Sequence, residues 1–79
     1  MRRETTIPAE QMLANAIVIK AAEDYRTAIR NLKINPKHDA SLQMLRECES
    51  FFESQWYELL TSVDGKMIMR KIREEELGK

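Results

Sequence analysis

Apolar residues recur at three- and four-residue steps along most of this chain, and no stretch alternates apolar with polar positions. The pattern predicts helices and no strands. In the first segment Leu13, Ile17, Ala21, Tyr25, Ala28 and Leu32 share one face of a 3.6-residue period. Val18, Ala22 and Ile29 widen that face, and Arg26, Arg30 and Lys33 sit opposite it. Pro8 suits a first turn, where its missing N–H has no intrahelical partner, and Thr6 is a candidate cap. Asn35-Pro36 closes the segment, because a residue before proline avoids the helical region. A first helix is expected over about 9–32, preceded by a flexible N-terminus at 1–6.

In the second segment Leu42, Leu45, Cys48, Phe52, Trp56, Leu59 and Val63 keep one phase from His38 onward, with no Gly or Pro between. This predicts one long helix over about 36–62, antiparallel to the first across a short connection and capped by Asn35. The seven-residue spacing of Leu45, Phe52 and Leu59 points to coiled-coil-like packing. A break at Glu53-Ser54, with Ser54 capping a new helix, is the alternative. Asp64-Gly65 then ends the segment, with Gly65 in the left-handed position past the helix end. A short third helix follows over about 66–77, with Ile68 and Ile72 inward and Met67 and Met69 flanking. The expected fold is all-α: a single domain made of an antiparallel hairpin of two long helices plus a short third helix.

Length and charge change this picture in two ways. A chain of 79 residues buries a marginal core. The first helix is also apolar around more than one face, because Met12 and Ile19 lie off the main stripe. Together these favour association, with a homodimeric bundle as the simplest form. The 13 Lys+Arg and 13 Asp+Glu cancel, which argues against a general polyanion binder. They are segregated, however, into +3 over residues 1–37, −5 over 38–64 and +2 over 65–79, a pattern suited to selecting which helices pair.

The stretch from Phe51 to Gly65 carries two aromatics, Ser54-x-Trp56-Tyr57, Leu60-Thr61 and Asp64-Gly65. With the following Ile68 and Lys71-Ile72-Arg73, and with Asp24-Tyr25-Arg26 and Asn35-Pro36 upstream, it resembles small all-helical proteins encoded in prophages of Gram-positive bacteria. The likeness spans about Ile17 to Glu75. It implies a phage-related origin, in the host cytoplasm, and supplies no catalytic residue.

Candidate chemistry is thin. His38 is the only histidine and Cys48 the only cysteine, so neither a thiolate metal cage, nor an intramolecular disulfide, nor a multi-histidine site can be assembled within one chain. The expectation is no enzyme, no metal and no cofactor. No apolar run reaches the roughly 18 residues of a membrane span, and a cytoplasmic setting follows. Phe52 and Trp56 read as core. Val18, Ile19, Ile29, Phe51 and Tyr57, at the edges of the stripes, are the candidate surface for a protein partner. Asp24 falls inside the apolar stripe and reads as a buried polar group. Its candidate partners are the Trp56 indole, a backbone N–H at the start of the third helix, or Lys71. The alternative function is nucleic-acid binding, with Arg70, Lys71 and Arg73 on phosphates and Arg2 and Arg3 assisting. Glu74, Glu75 and Glu76 weigh against it, because they repel phosphate.

Overall fold

The structure, a computed structural model, describes residues 9–78, with side chains from Gln11 onward. The expectations for 1–6, Thr6, Pro8, Arg2 and Arg3 lie outside these residues. Four helices follow one another: α1 (Ala9–Ile34), α2 (Asp39–Phe52), α3 (Gln55–Leu60) and α4 (Gly65–Leu77). No strand occurs among the described residues. α2 runs antiparallel to α1, since Tyr25 meets Glu49 and Phe52 while Ile29 and Leu32 border one cavity with Leu45. α4 returns parallel to α1, with Arg26 and Lys33 reaching its last turn.

The α1–α2 connection is built differently from the expectation. Asn35 does not cap α2. Its Oδ1 accepts from the Lys37 N–H at 3.2 Å, which closes a turn around Pro36. The cap is His38, whose Nδ1 accepts from the N–H of Ser41 at 3.3 Å. Ser41 is buried there, its hydroxyl 2.7 Å from the same ring nitrogen.

The single helix expected over 36–62 is broken at Glu53-Ser54. Ser54 works on both sides of the break. Its hydroxyl donates at 2.7 Å to the Phe51 carbonyl, which has no partner within α2 and also accepts from the Ser54 N–H at 3.1 Å. The Ser54 hydroxyl oxygen accepts from the Tyr57 N–H at 3.0 Å and caps α3. The interruption slips the helical phase by one residue. Tyr57 turns inward and is fully buried, whereas Trp56 is 55% and Leu59 84% exposed. Trp56, Leu59 and Val63 are therefore not core, and Tyr57 is not surface.

Gly65 does not end a helix. It begins α4, capped by Asp64, whose Oδ1 accepts from the Lys66 N–H at 3.0 Å. No glycine has positive φ. What requires glycine at 65 is proximity, because a β-carbon there would overlap the carbonyl oxygen of Phe52. The start of α4 thus lies against the end of α2.

The core follows from this crossing. Tyr25 and Ile29 of α1, Cys48 and Phe52 of α2, Tyr57 of α3, and Met69 and Ile72 of α4 form one buried cluster. Phe52 sits at its centre, edge-on to Tyr25 at 6.0 Å and to Tyr57 at 5.5 Å between ring centroids. Ile72 is inward as expected, Met69 is more deeply buried than Ile68, and Met67 is exposed. The basic side of α1 is paired with α4, although Arg30 and Lys33 stay exposed. Arg26 Nη1 lies 2.7 Å from Glu75 and 3.1 Å from Glu76, and Arg30 Nε lies 3.0 Å from Glu76. Lys33 donates to the Glu76 carbonyl. The charge pairing that docks α4 therefore runs chiefly from α1 to α4, and the acidic α2 contributes little to it.

Candidate functional site

Helices of unequal length leave one side of the hairpin open. α1, with 26 residues, is about 39 Å long, whereas α2, with 14, is about 21 Å. Between them lies a solvent-open groove of about 270 Å³. Ile17 and Ala21 of α1, Met44, Cys48 and Phe51 of α2, and Trp56 of α3 line it. Lys20, Asp24 and Glu47 form its polar rim. The phase slip at Ser54 creates this site, because it rotates Trp56 out of the core and onto the groove wall. Phe51 supports the indole edge-on at 5.4 Å.

The rim is internally paired. Lys20 Nζ is 2.9 Å from Asp24 Oδ1, and that carboxylate holds the ammonium above the ordinary lysine value. Asp24 is accordingly half-buried, not buried, and its partner is none of the three groups expected. Its position at the edge of the α1 stripe faces the groove, where Lys20, one turn earlier, reaches it. Gln43 donates to Glu47 at 3.1 Å. Cys48 lies in the groove floor, and burial pushes its thiol up to about 11. A thiol so raised carries little thiolate near neutrality and is a poor nucleophile.

Of the five residues expected at a partner surface, Phe51 lines the groove. Ile29 and Tyr57 are core, and Val18 is half-buried against the core. Ile19 is 57% exposed but points to the far side of α1 from Ile17. Leu13 was expected inward. It is 64% exposed and stands one turn before Ile17 on the groove side. The sequence pattern missed Met44 and Trp56 as groove residues. The signal for Trp56 was Ser54 three residues before Tyr57, a capping spacing that resets the phase.

A second cavity, of about 220 Å³, lies between Tyr25, Ile29, Leu32, Leu45 and Leu77, with Glu49 and Arg73 at its polar end. Its polar groups are already satisfied. The Tyr25 hydroxyl donates to Glu49 Oε2 at 3.0 Å and accepts from Arg73 Nη1 at 2.9 Å. Burial is the main cause that pushes the Tyr25 phenol up; Glu49 adds to it and Arg73 opposes it. Arg73 is thereby tied to Tyr25 while its side chain stays 46% exposed; Arg70 and Lys71 are exposed as well. The Tyr57 hydroxyl, by contrast, is buried and finds no hydrogen-bond partner among the described residues.

Among the described residues no group of three or more His, Cys, Asp or Glu is placed to hold a metal ion. No described helix is long and apolar enough to cross a membrane. Comparison with protein-family models, with curated proteins and with solved structures gives no match to this chain.

Proposed function

We propose that this chain is a non-enzymatic interaction module whose working surface is the α1–α2 groove. The observation that carries the reading is Trp56, left 55% exposed on the wall of an apolar groove. Tryptophan is the side chain that most often anchors a protein interface, and exposed apolar grooves rimmed by charge are typical docking surfaces. An amphipathic helix laid along the groove covers Ile17, Met44 and Trp56, and the rim charges of Lys20, Asp24 and Glu47 set its direction. The resemblance of the Phe51–Gly65 stretch to prophage-encoded proteins adds a phage-related setting to this proposal. The test is capture of a partner by the tagged chain, repeated with Trp56→Ser and Ile19→Ser. The expected outcome is loss with the first and retention with the second. The reverse pattern refutes the groove as the binding surface.

A second reading rests on a different observation. Because Arg26, Arg30 and Lys33 hold Glu75 and Glu76, the exposed face of the first two turns of α4 carries Lys66, Arg70 and Lys71 opposed chiefly by Glu74. That face suits phosphate contact. It predicts duplex DNA binding with a salt slope that shrinks by about one for Arg70→Ala. Absence of salt-dependent binding eliminates it.

A further inference from the structure

The groove and the uncovered start of α1 belong to one surface. Leu13, Ile17, Lys20 and Asp24 recur at four-, three- and four-residue steps, which is the seam spacing of a helix that packs lengthwise on another. The last three line the groove, and Leu13 extends the seam beyond the reach of α2. The seam is polar at one end and apolar at the other, and that asymmetry selects the occupant.

We propose that the groove is filled by a second copy of this chain, the two α1 helices lying antiparallel about a two-fold axis between Leu13 and Ile17. This rests on the groove reading above and names its partner. In this register each Leu13 seats against the other copy's Ile17 and Trp56. The first turn of each α1 then comes to the rim of the other, position 10, a glutamate, falling opposite Lys20. The first turn carries a carboxylate and the rim position it meets a lysine, so the incoming helix end and the rim are complementary in charge. A parallel pairing would instead put Asp24 against Asp24 and leave both helix N-termini together. The contact is self-complementary, as a closed two-fold dimer demands, and it covers apolar side chains that a chain of 79 residues leaves in water.

The full chain is diluted from about 100 µM to about 0.1 µM and followed by sedimentation and by Trp56 fluorescence, a range that brackets Kd values ordinary for small dimers. A dimer is expected at the upper end, with the indole emission moving to the red at the same midpoint as dissociation. Leu13→Glu is expected to weaken the dimer on the order of 100-fold, and Ile19→Glu to leave it unchanged. Leu13 is 64% exposed in the single chain, so this variant folds, which far-UV circular dichroism checks. Direction is read separately in a Cys48→Ser background. Chains carrying Leu13→Cys are mixed with chains carrying Ile17→Cys and oxidised, and the mixed 13–17 disulfide is expected to dominate. Predominance of 13–13 and 17–17 disulfides overturns the antiparallel arrangement. A chain that stays monomeric at about 100 µM, yet loses a captured partner on Trp56→Ser, overturns the dimer while the groove reading stands. A dimer broken by Ile19→Glu and not by Leu13→Glu overturns both.

Discussion

The two ends of α1 meet different surroundings. Toward its C-terminus Tyr25, Ala28 and Ile29 are buried between α2 and α4, and Arg26, Arg30 and Lys33 spend their charge on Glu75 and Glu76. The polar groups drawn into this end are paired, down to the Tyr25 hydroxyl held between Glu49 and Arg73. Toward the N-terminus α2 has ended, only the six-residue α3 stands beside the helix, and Met12, Leu13 and Ile19 face water. The closed end has the features of a finished fold and the open end those of a surface awaiting cover. Stability and function are thus divided along a single helix.

This division can be broken from either side. The largest effect is expected at the centre of the closed cluster. Phe52→Ala should cost about 3–5 kcal/mol in urea unfolding, through lost burial and the cavity left among Tyr25 and Tyr57. Leu13→Ala, measured at a concentration where the chain is monomeric, should stay within about 0.5 kcal/mol. Comparable costs for the two would mean that the open end is not open. The two buried tyrosines give a smaller test of opposite sign. Tyr25→Phe deletes a hydroxyl with two partners and should destabilise by about 1 kcal/mol. Tyr57→Phe deletes an unpaired one and should be neutral or stabilising.

The smallest effect concerns the charged seam, and it appears as a pH dependence. Hydrogen bonds from Arg30, and next from Arg26, hold the Glu76 carboxyl below its ordinary value of 4.5, although its side chain is only 9% exposed. A group that titrates lower in the folded than in the unfolded state contributes its full stabilisation above about pH 4.5 and loses it as the pH falls through the folded value. The thermal midpoint of Glu76→Gln should therefore fall less than that of the unaltered chain as the pH is lowered below 4.5. An equal fall for both would show that the seam contributes nothing through that carboxyl.

Much of the closed end was legible beforehand. The span of α1, the extent of the last helix and the inward positions of Cys48, Phe52 and Ile72 all follow from apolar spacing, because each lies inside an uninterrupted helical period. The open end was misread for one local reason. The spacing Phe52–Trp56–Leu59 satisfies a continuous helix, and the shifted spacing Phe52–Tyr57–Leu60 satisfies a broken one. Periodicity cannot choose between them, because aromatic and leucine pairs stand side by side at 56–57 and 59–60. Long-range pairing was equally silent in the sequence. The pairing of Arg73 with Tyr25 was not legible, because nothing nearby in the chain marks a tyrosine 48 residues earlier as its partner.

The sequence by itself determined that this chain is helical, roughly where α1 and α4 run, and the inward positions of Tyr25, Ala28, Cys48 and Phe52. These are consequences of local backbone preference and of burying one stripe per helix. Only the tertiary structure decided which neighbour of each aromatic pair is buried. Gly65 lets α4 lie against the carbonyl end of α2, Ser54 terminates one helix and caps the next, and the chain between them must turn within a few residues. That turn exchanges Tyr57 for Trp56 in the core. The exposed tryptophan, and with it the groove, results from closing the fold at its other end.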